Sequence, residues 1–239
     1  VRYLCLHGFT GSPETFGAFQ LPPGSLAPVL GGHLHTAVRG DFEDEVERLA
    51  ELAAEAGCDA LFGYSLGGRF ALGILARFPD RFRHALVASA QAGLVSAEER
   101  RARHEADQRW VDLLRERGLT AFVDAWQALP LWASQADLPE ATKRAQREQR
   151  LRHAAPGLAA SLLQHGLGEM PDLRPFLGRV RTRVDLLVGA RDQKFVTLAQ
   201  ELSTLIPDAR LSVAPDAGHN LLLERPALCE SLLVEGEDP

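Results

Sequence analysis

Ala60-Leu61-Phe62-Gly63-Tyr64-Ser65-Leu66-Gly67-Gly68-Arg69-Phe70-Ala71 is the stretch that decides the fold. Ala60, Leu61 and Phe62 form a short apolar run suited to a buried strand, and Phe70, Ala71, Ile74 and Leu75 then recur at helical spacing. Between them Gly63-x-Ser65-x-Gly67 has the pattern of a sharp strand-to-helix turn that presents a serine hydroxyl. Such a turn strains the serine backbone, and a side chain at either glycine would collide with the adjoining strand or helix. Arg77-Phe78-Pro79-Asp80 closes the helix. A chance glycine-serine turn is the alternative for the five residues alone, and the strand and helix around them argue against it.

The same alternation continues outward. Residues 3–6 read as a strand, followed by a loop rich in Gly and Pro through Gly32, a helix over about 41–56, the elbow, and a strand at 85–88. Toward the C-terminus strands are predicted at 184–188 and 210–213, with helices at 197–205 and from about Pro226. Strand and helix in turn imply an α/β fold whose mostly parallel sheet is joined by helical crossovers. From about 97 to 167 strand patterns vanish, and stretches rich in Arg, Glu and Ala are punctuated by Gly118, Pro130, Pro139 and Pro156-Gly157 into about four helices. This reads as a helical cap inserted into a single domain over 1–239, above the carboxyl ends of the strands where ligands bind in open α/β sheets.

The 239 residues carry a net charge of −6 and no apolar run of membrane-spanning length, so neither nucleic acid nor membrane is an expected partner. A small soluble substrate is. Cys5, Cys58 and Cys229 are odd in number, far apart and set among apolar residues, which predicts buried free thiols and a reducing, cytoplasmic setting. No secretory signal pattern precedes the first strand. Nothing calls for a metal or an organic cofactor, and the sequence leaves the oligomeric state open.

A serine at neutral pH needs a histidine to take its proton and an acid to orient that histidine. Asp192 follows the strand at 184–188, and His219 follows the strand at 210–213 in Ala217-Gly218-His219-Asn220, giving the order Ser, Asp, His. Asp185 stands at the wrong end of its strand, Asp208 in the turn before the next, and Asp216 too close to His219 in sequence, while Asp172 has no strand to present it. Leu6-His7-Gly8-Phe9-Thr10-Gly11 leaves the first strand in a glycine-rich loop, so the backbone N–H groups of Phe9 and Leu66 are the expected oxyanion donors. His7 is expected to hold that loop in shape. Residues 97–153 hold eleven Lys/Arg against ten Asp/Glu, many of them ordinary i, i+4 surface charges. Arg69 lies one helical turn from Ser65 on nearly the same face, which suggests an anionic substrate gripped by arginine.

The loop at 6–11, Gly63-Tyr64-Ser65-Leu66-Gly67-Gly68-Arg69, Ala97-Glu98-Glu99-Arg100 with Arg103 and Trp110, Pro171-Asp172-Leu173, and Gly189-Ala190-Arg191-Asp192-Gln193-Lys194-Phe195 together resemble the 2-succinyl-6-hydroxy-2,4-cyclohexadiene-1-carboxylate synthase family of the α/β-hydrolase superfamily. The resemblance spans nearly the whole chain. It implies a lyase of menaquinone biosynthesis that eliminates pyruvate, with Ser65, polarised by His219 and Asp192, acting as a base, and with Tyr64, Arg69, Arg103, Trp126 and Arg150 around the substrate carboxylates. Trp126 reads equally well as cap core, and Lys194 as a rim residue. Two features depart from the family pattern: Leu30-Gly31-Gly32-His33 stands where a longer Asp-x-Pro-Gly-His-Gly loop is usual, and the chain is short before its first strand, which predicts a sheet one or two strands smaller. Two other readings stay open at this point, an ester or C–C bond hydrolase with Ser65 as covalent nucleophile and a non-catalytic ligand-binding homologue.

Overall fold

A computed structural model describes residues 1–18 and 20–235. Five parallel strands, β1 (Tyr3–Leu6), β2 (Ala60–Tyr64), β3 (His84–Ala88), β4 (Arg183–Gly189) and β5 (Ala209–Ala214), lie side by side in chain order. Each crosses over through helical segments, as parallel neighbours require. Leu26 adds a single bridge to the outer edge of β1, where its N–H meets the Tyr3 carbonyl and its carbonyl meets the Cys5 N–H.

Strands β1 to β3 are buried on both faces, which is why they read as continuous apolar runs with no alternation. Leu4, Leu6, Leu61, Val87, Val184 and Leu186 face α1 (Phe42–Glu55) and α2 (Leu66–Arg77). Tyr3, Cys5, Phe62, Leu86 and Leu187 face α8 (Leu221–Glu224) and α9 (Pro226–Glu235). Fully burying one such Leu or Phe is worth about 1.5–3 kcal/mol, so both faces contribute to the core. Asp41 caps α1 by accepting the N–H groups of Glu43 and Asp44. The predicted elements hold with boundary shifts of a residue or so, except that α7 (Gln193–Leu205) begins four residues before its expected start because the chain turns into helix directly after Asp192. The three cysteines are buried and free.

Between β3 and β4 the chain is helical. α3 (Ala97–Gln127) is two helices divided at Gly118, whose φ of 76° only glycine adopts readily. A 3₁₀ segment over Pro130–Asp137, α4 (Glu140–Arg150) and α5 (Ala155–His165) follow, and α6 (Arg174–Leu177) leads into β4. Val111, Leu114, Phe122, Val123, Leu158 and Leu162 give this segment its own small core, against which the side chain of Phe9 packs. Among the described residues no helix is long and apolar enough to cross a membrane.

Candidate active site

The parallel sheet places the loops that follow β1, β2, β4 and β5 along one rim, the carboxyl ends of the strands. Those loops carry Phe9, Ser65, Asp192 and His219. Ser65 has φ 52° and ψ −107°, a conformation an L residue holds only when its surroundings impose it. The surroundings do. A Cβ on Gly63 would meet the Gly67 carbonyl oxygen, and one on Gly67 would meet the Leu6 carbonyl oxygen, so strand and helix approach each other to backbone contact.

The Ser65 Oγ lies 3.0 Å from His219 Nε2, and His219 Nδ1 lies 2.8 Å from Asp192 Oδ2. The imidazole and the carboxylate are both almost wholly buried. Rings surround the imidazole: Phe195 at 4.5 Å between centroids, Tyr64 at 5.6 Å and Trp132 at 5.6 Å. The Glu224 carboxylate accepts the N–H of Gly218 at 2.7 Å and that of Asn220 at 3.3 Å, so it holds the backbone on both sides of His219. Three of the competing acids are occupied elsewhere. Asp185 bonds His84 at 2.7 Å at the far end of the sheet; burial pushes its carboxyl up, but the His84 bond and charge together with Arg183 outweigh it and hold the carboxyl below the usual range. Asp172 pairs with Arg174, and Asp216 faces Arg191.

A cavity of about 190 Å³ opens beside Ser65. Phe9, Leu66, Tyr64, Arg69, Arg103 and Trp126 all contribute to its wall, as do Trp132 and Phe195. Neither the Phe9 nor the Leu66 N–H is taken up by a turn, loop or cap hydrogen bond among the described residues. Arg69 donates to the His165 carbonyl at 3.0 Å, and Arg103 pairs with Asp107 at 2.8 Å. Burial, then the like charge of Arg103, draws Arg69 down to about 9 against a partial offset from Asp107. Among the described residues, the hydroxyls of Tyr64, Ser89 and Ser161 and the indole N–H of Trp126 have no partner, though these residues line this cavity.

Arg150 departs from its expected place. It is buried, yet it does not line the cavity beside Ser65; its guanidinium lies 5.2 Å from the centroid of Trp132, a ring that lines both this cavity and a neighbouring one to which Arg150 contributes. The reason is local packing: Trp132, from the 3₁₀ segment, takes the place beside His219, and Arg150, the last residue of α4, stacks on that ring. Burial draws this guanidinium down to about 10. Trp132, Phe195 and Glu224 were not singled out from the sequence as site residues. For Glu224 the available signal was an acid at the end of the short apolar run after His219; for Trp132 there was none beyond its being a tryptophan. Lys194 lies over the Phe195 ring and reaches the cavity wall. Leu30 to His33 lie behind Phe9, with the His33 ring edge-on to it at 5.6 Å, and so support the wall without lining it.

Known proteins place this geometry in context. The model of the alpha/beta hydrolase family matches residues 3–231. A Bacillus subtilis (strain 168) protein provisionally named 2-succinyl-6-hydroxy-2,4-cyclohexadiene-1-carboxylate synthase is 34% identical over 97% of this chain and 88% of its own length. The protein of that name from Enterobacter sp. (strain 638) is 32% identical over 96% of this chain and 89% of its own. The solved structure of MenH from S. aureus superposes with a TM-score of 0.90 at 26% identity, covering 98% of this chain and 92% of that one. The chain belongs to the alpha/beta hydrolase family, and within it to the 2-succinyl-6-hydroxy-2,4-cyclohexadiene-1-carboxylate synthases.

Proposed function

We propose that this chain is the lyase of menaquinone biosynthesis that eliminates pyruvate from 2-succinyl-5-enolpyruvyl-6-hydroxy-3-cyclohexene-1-carboxylate, working as one α/β-hydrolase domain whose segment 97–167 serves as a cap. The observation that carries the reading is the pair Arg69 and Arg103 facing one cavity beside Ser65. Two guanidinium groups so placed repel each other, and a substrate carrying carboxylates converts that repulsion into binding. A neutral ester would leave it offset only in part, by Asp107.

In this reading Ser65 removes a carbon-bound proton from the ring. His219 Nε2 accepts the serine proton across the 3.0 Å contact, and Asp192 stabilises the imidazolium that forms. The electrons released from the C–H bond delocalise toward the succinyl carbonyl, whose developing negative charge meets the N–H groups of Phe9 and Leu66. They return as the ring double bonds rearrange and the C–O bond to the enolpyruvyl group breaks. The departing enolate takes a proton on carbon and leaves as pyruvate, so the proton count closes and no water is consumed. Tyr64, Arg69, Arg103 and Trp126 orient the substrate.

A coupled pyruvate assay on the enolpyruvyl intermediate, with Ser65→Ala as control, tests the proposal. Pyruvate release by the wild type that falls about 10²–10⁴-fold in the variant, the scale of general-base catalysis, supports it. An acyl-enzyme burst on an activated ester without pyruvate release from the intermediate would assign Ser65 to covalent hydrolysis instead.

A further inference from the structure

Three buried histidines that the proposed chemistry does not use converge on the loop after β1. Each is fixed in one neutral tautomer, because one ring nitrogen accepts a backbone N–H and the other donates to a backbone carbonyl. His7 accepts the Leu30 N–H at 3.2 Å and donates through Nδ1 to the Gly8 carbonyl at 2.9 Å. His33 accepts the Thr10 N–H at 3.2 Å and donates through Nδ1 to the Gly31 carbonyl at 3.1 Å. His153 accepts the Leu34 N–H at 2.8 Å and donates through Nε2 to the Thr10 carbonyl at 3.0 Å. The rings stand edge-on in a row, His7 to His33 at 4.8 Å and His33 to His153 at 5.4 Å.

The consequence is a peptide-by-peptide grip. His7 holds the Gly8–Phe9 peptide by its carbonyl, His33 the Phe9–Thr10 peptide by its N–H, and His153 the Thr10–Gly11 peptide by its carbonyl. In a trans peptide the N–H points opposite to the C=O, so fixing the Gly8 carbonyl fixes where the Phe9 N–H points. Thr10 has φ 63°, a conformation a threonine abandons unless both neighbouring peptides are held. His7 and His33 come from the N-terminal part of the sheet domain. His153 comes from the junction of α4 and α5, 143 positions away from Thr10 in sequence.

That junction is seated on the loop at further points. Gln149 donates to Ser12 Oγ at 2.7 Å, Arg152 forms a two-bond ion pair with Glu14, and Gly32 and Gly157 approach so closely that a Cβ on either would strike the other's carbonyl oxygen. The side chain of Phe9 meanwhile sits against Phe122 and Trp126 of the helical segment.

We propose that His153 is a positioning residue that ties the seating of the helical segment to the orientation of the Phe9 N–H, so that the oxyanion donor is correctly aimed only when the α4–α5 junction is docked. The proposal rests on the reading of Phe9 as an oxyanion donor. His153→Ala removes both of its bonds. His153→Gln keeps a donor nitrogen the same number of bonds from Cα, able to reach the Thr10 carbonyl. Arg152→Ala breaks a tie of the same junction without touching Thr10.

Two measurements on the full chain test this. In steady-state pyruvate release, His153→Ala should lower kcat about tenfold to a hundredfold, a part of the 10²–10³ lost with an oxyanion donor, and leave KM within about threefold. His153→Gln should recover most of kcat, and Arg152→Ala should match the wild type. In amide hydrogen exchange, residues 9–11 should exchange at least about tenfold faster in His153→Ala and return toward wild type in His153→Gln. An unchanged kcat with a raised KM, a glutamine variant as impaired as the alanine one, or unchanged exchange at 9–11 would each overturn the proposal. Exchange reads the latch independently of the reaction, so a wild type that releases no pyruvate would refute the proposed function while the latch is still decided.

Discussion

Removing the Glu224 carboxylate should disable His219 without touching it. This side chain is nearly buried and accepts the N–H groups of Gly218 and Asn220, the two residues flanking the imidazole. Glu224→Ala leaves both N–H groups buried and unpaired, at about 1–3 kcal/mol each, so a loss of about 4 kcal/mol is expected. For a chain of this size that lowers the thermal midpoint by roughly 8–16 °C. Glu224→Gln is the informative variant, because it keeps one acceptor oxygen and turns an NH₂ group toward the other donor. It should lose about half as much stability. The loop then shifts, and since a displacement of about 1 Å at a reacting group costs up to about 10² in rate, kcat for pyruvate release should fall tenfold or more while KM stays within about twofold. The assay is steady-state pyruvate release beside differential scanning calorimetry. A Glu224→Gln protein with a lowered midpoint and wild-type kcat would refute the reasoning, since it would show that the His219 loop keeps its geometry without the clamp.

Other outcomes follow from the same geometry. Asp192→Asn should cost about 10⁴ in kcat with little change in KM, because the amide favours the wrong imidazole tautomer; a loss under tenfold in steady-state kinetics would contradict the assignment of the acid. Arg103→Ala should raise KM for the carboxylate substrate and leave turnover of a small neutral ester within about twofold, whereas equal losses on both would point to a structural role. Gly67→Ala should abolish activity and yield little folded protein by circular dichroism, since its methyl group meets the Leu6 carbonyl. Acid should destabilise the protein through the histidine row. His7 is drawn down to about 4, chiefly by burial, so as pH falls below about 6.5 the unfolded chain takes up a proton that the folded chain refuses, and stability declines until about pH 4. This single group accounts for about 3 kcal/mol over that window. His33, held low by burial and by the other two histidines, and His153, held low by burial with Arg152, Arg150 and His35 nearby, steepen the decline. Thermal midpoints at pH 7, 6 and 5 measure it, and a flat profile would contradict it.

The sheet, the elbow and the order Ser65, Asp192, His219 can be read from the sequence alone. Strand and helix periods are local properties, and the glycines around Ser65 answer a steric demand made by their own turn. Asp192 and His219 were legible because each follows a recognisable strand, and a parallel sheet brings the carboxyl ends of its strands to one rim whatever the distance along the chain. Arg69 was legible because one helical turn fixes its distance from Ser65. Tertiary packing alone sets how the segment between β3 and β4 sits on that rim. It put Trp132 inward and Arg150 behind it, set Arg103 against Arg69, and brought His153 onto the Thr10 carbonyl. No local period encodes those choices, because each depends on which faces of separate helices pack together and on side chains meeting across dozens to more than a hundred residues.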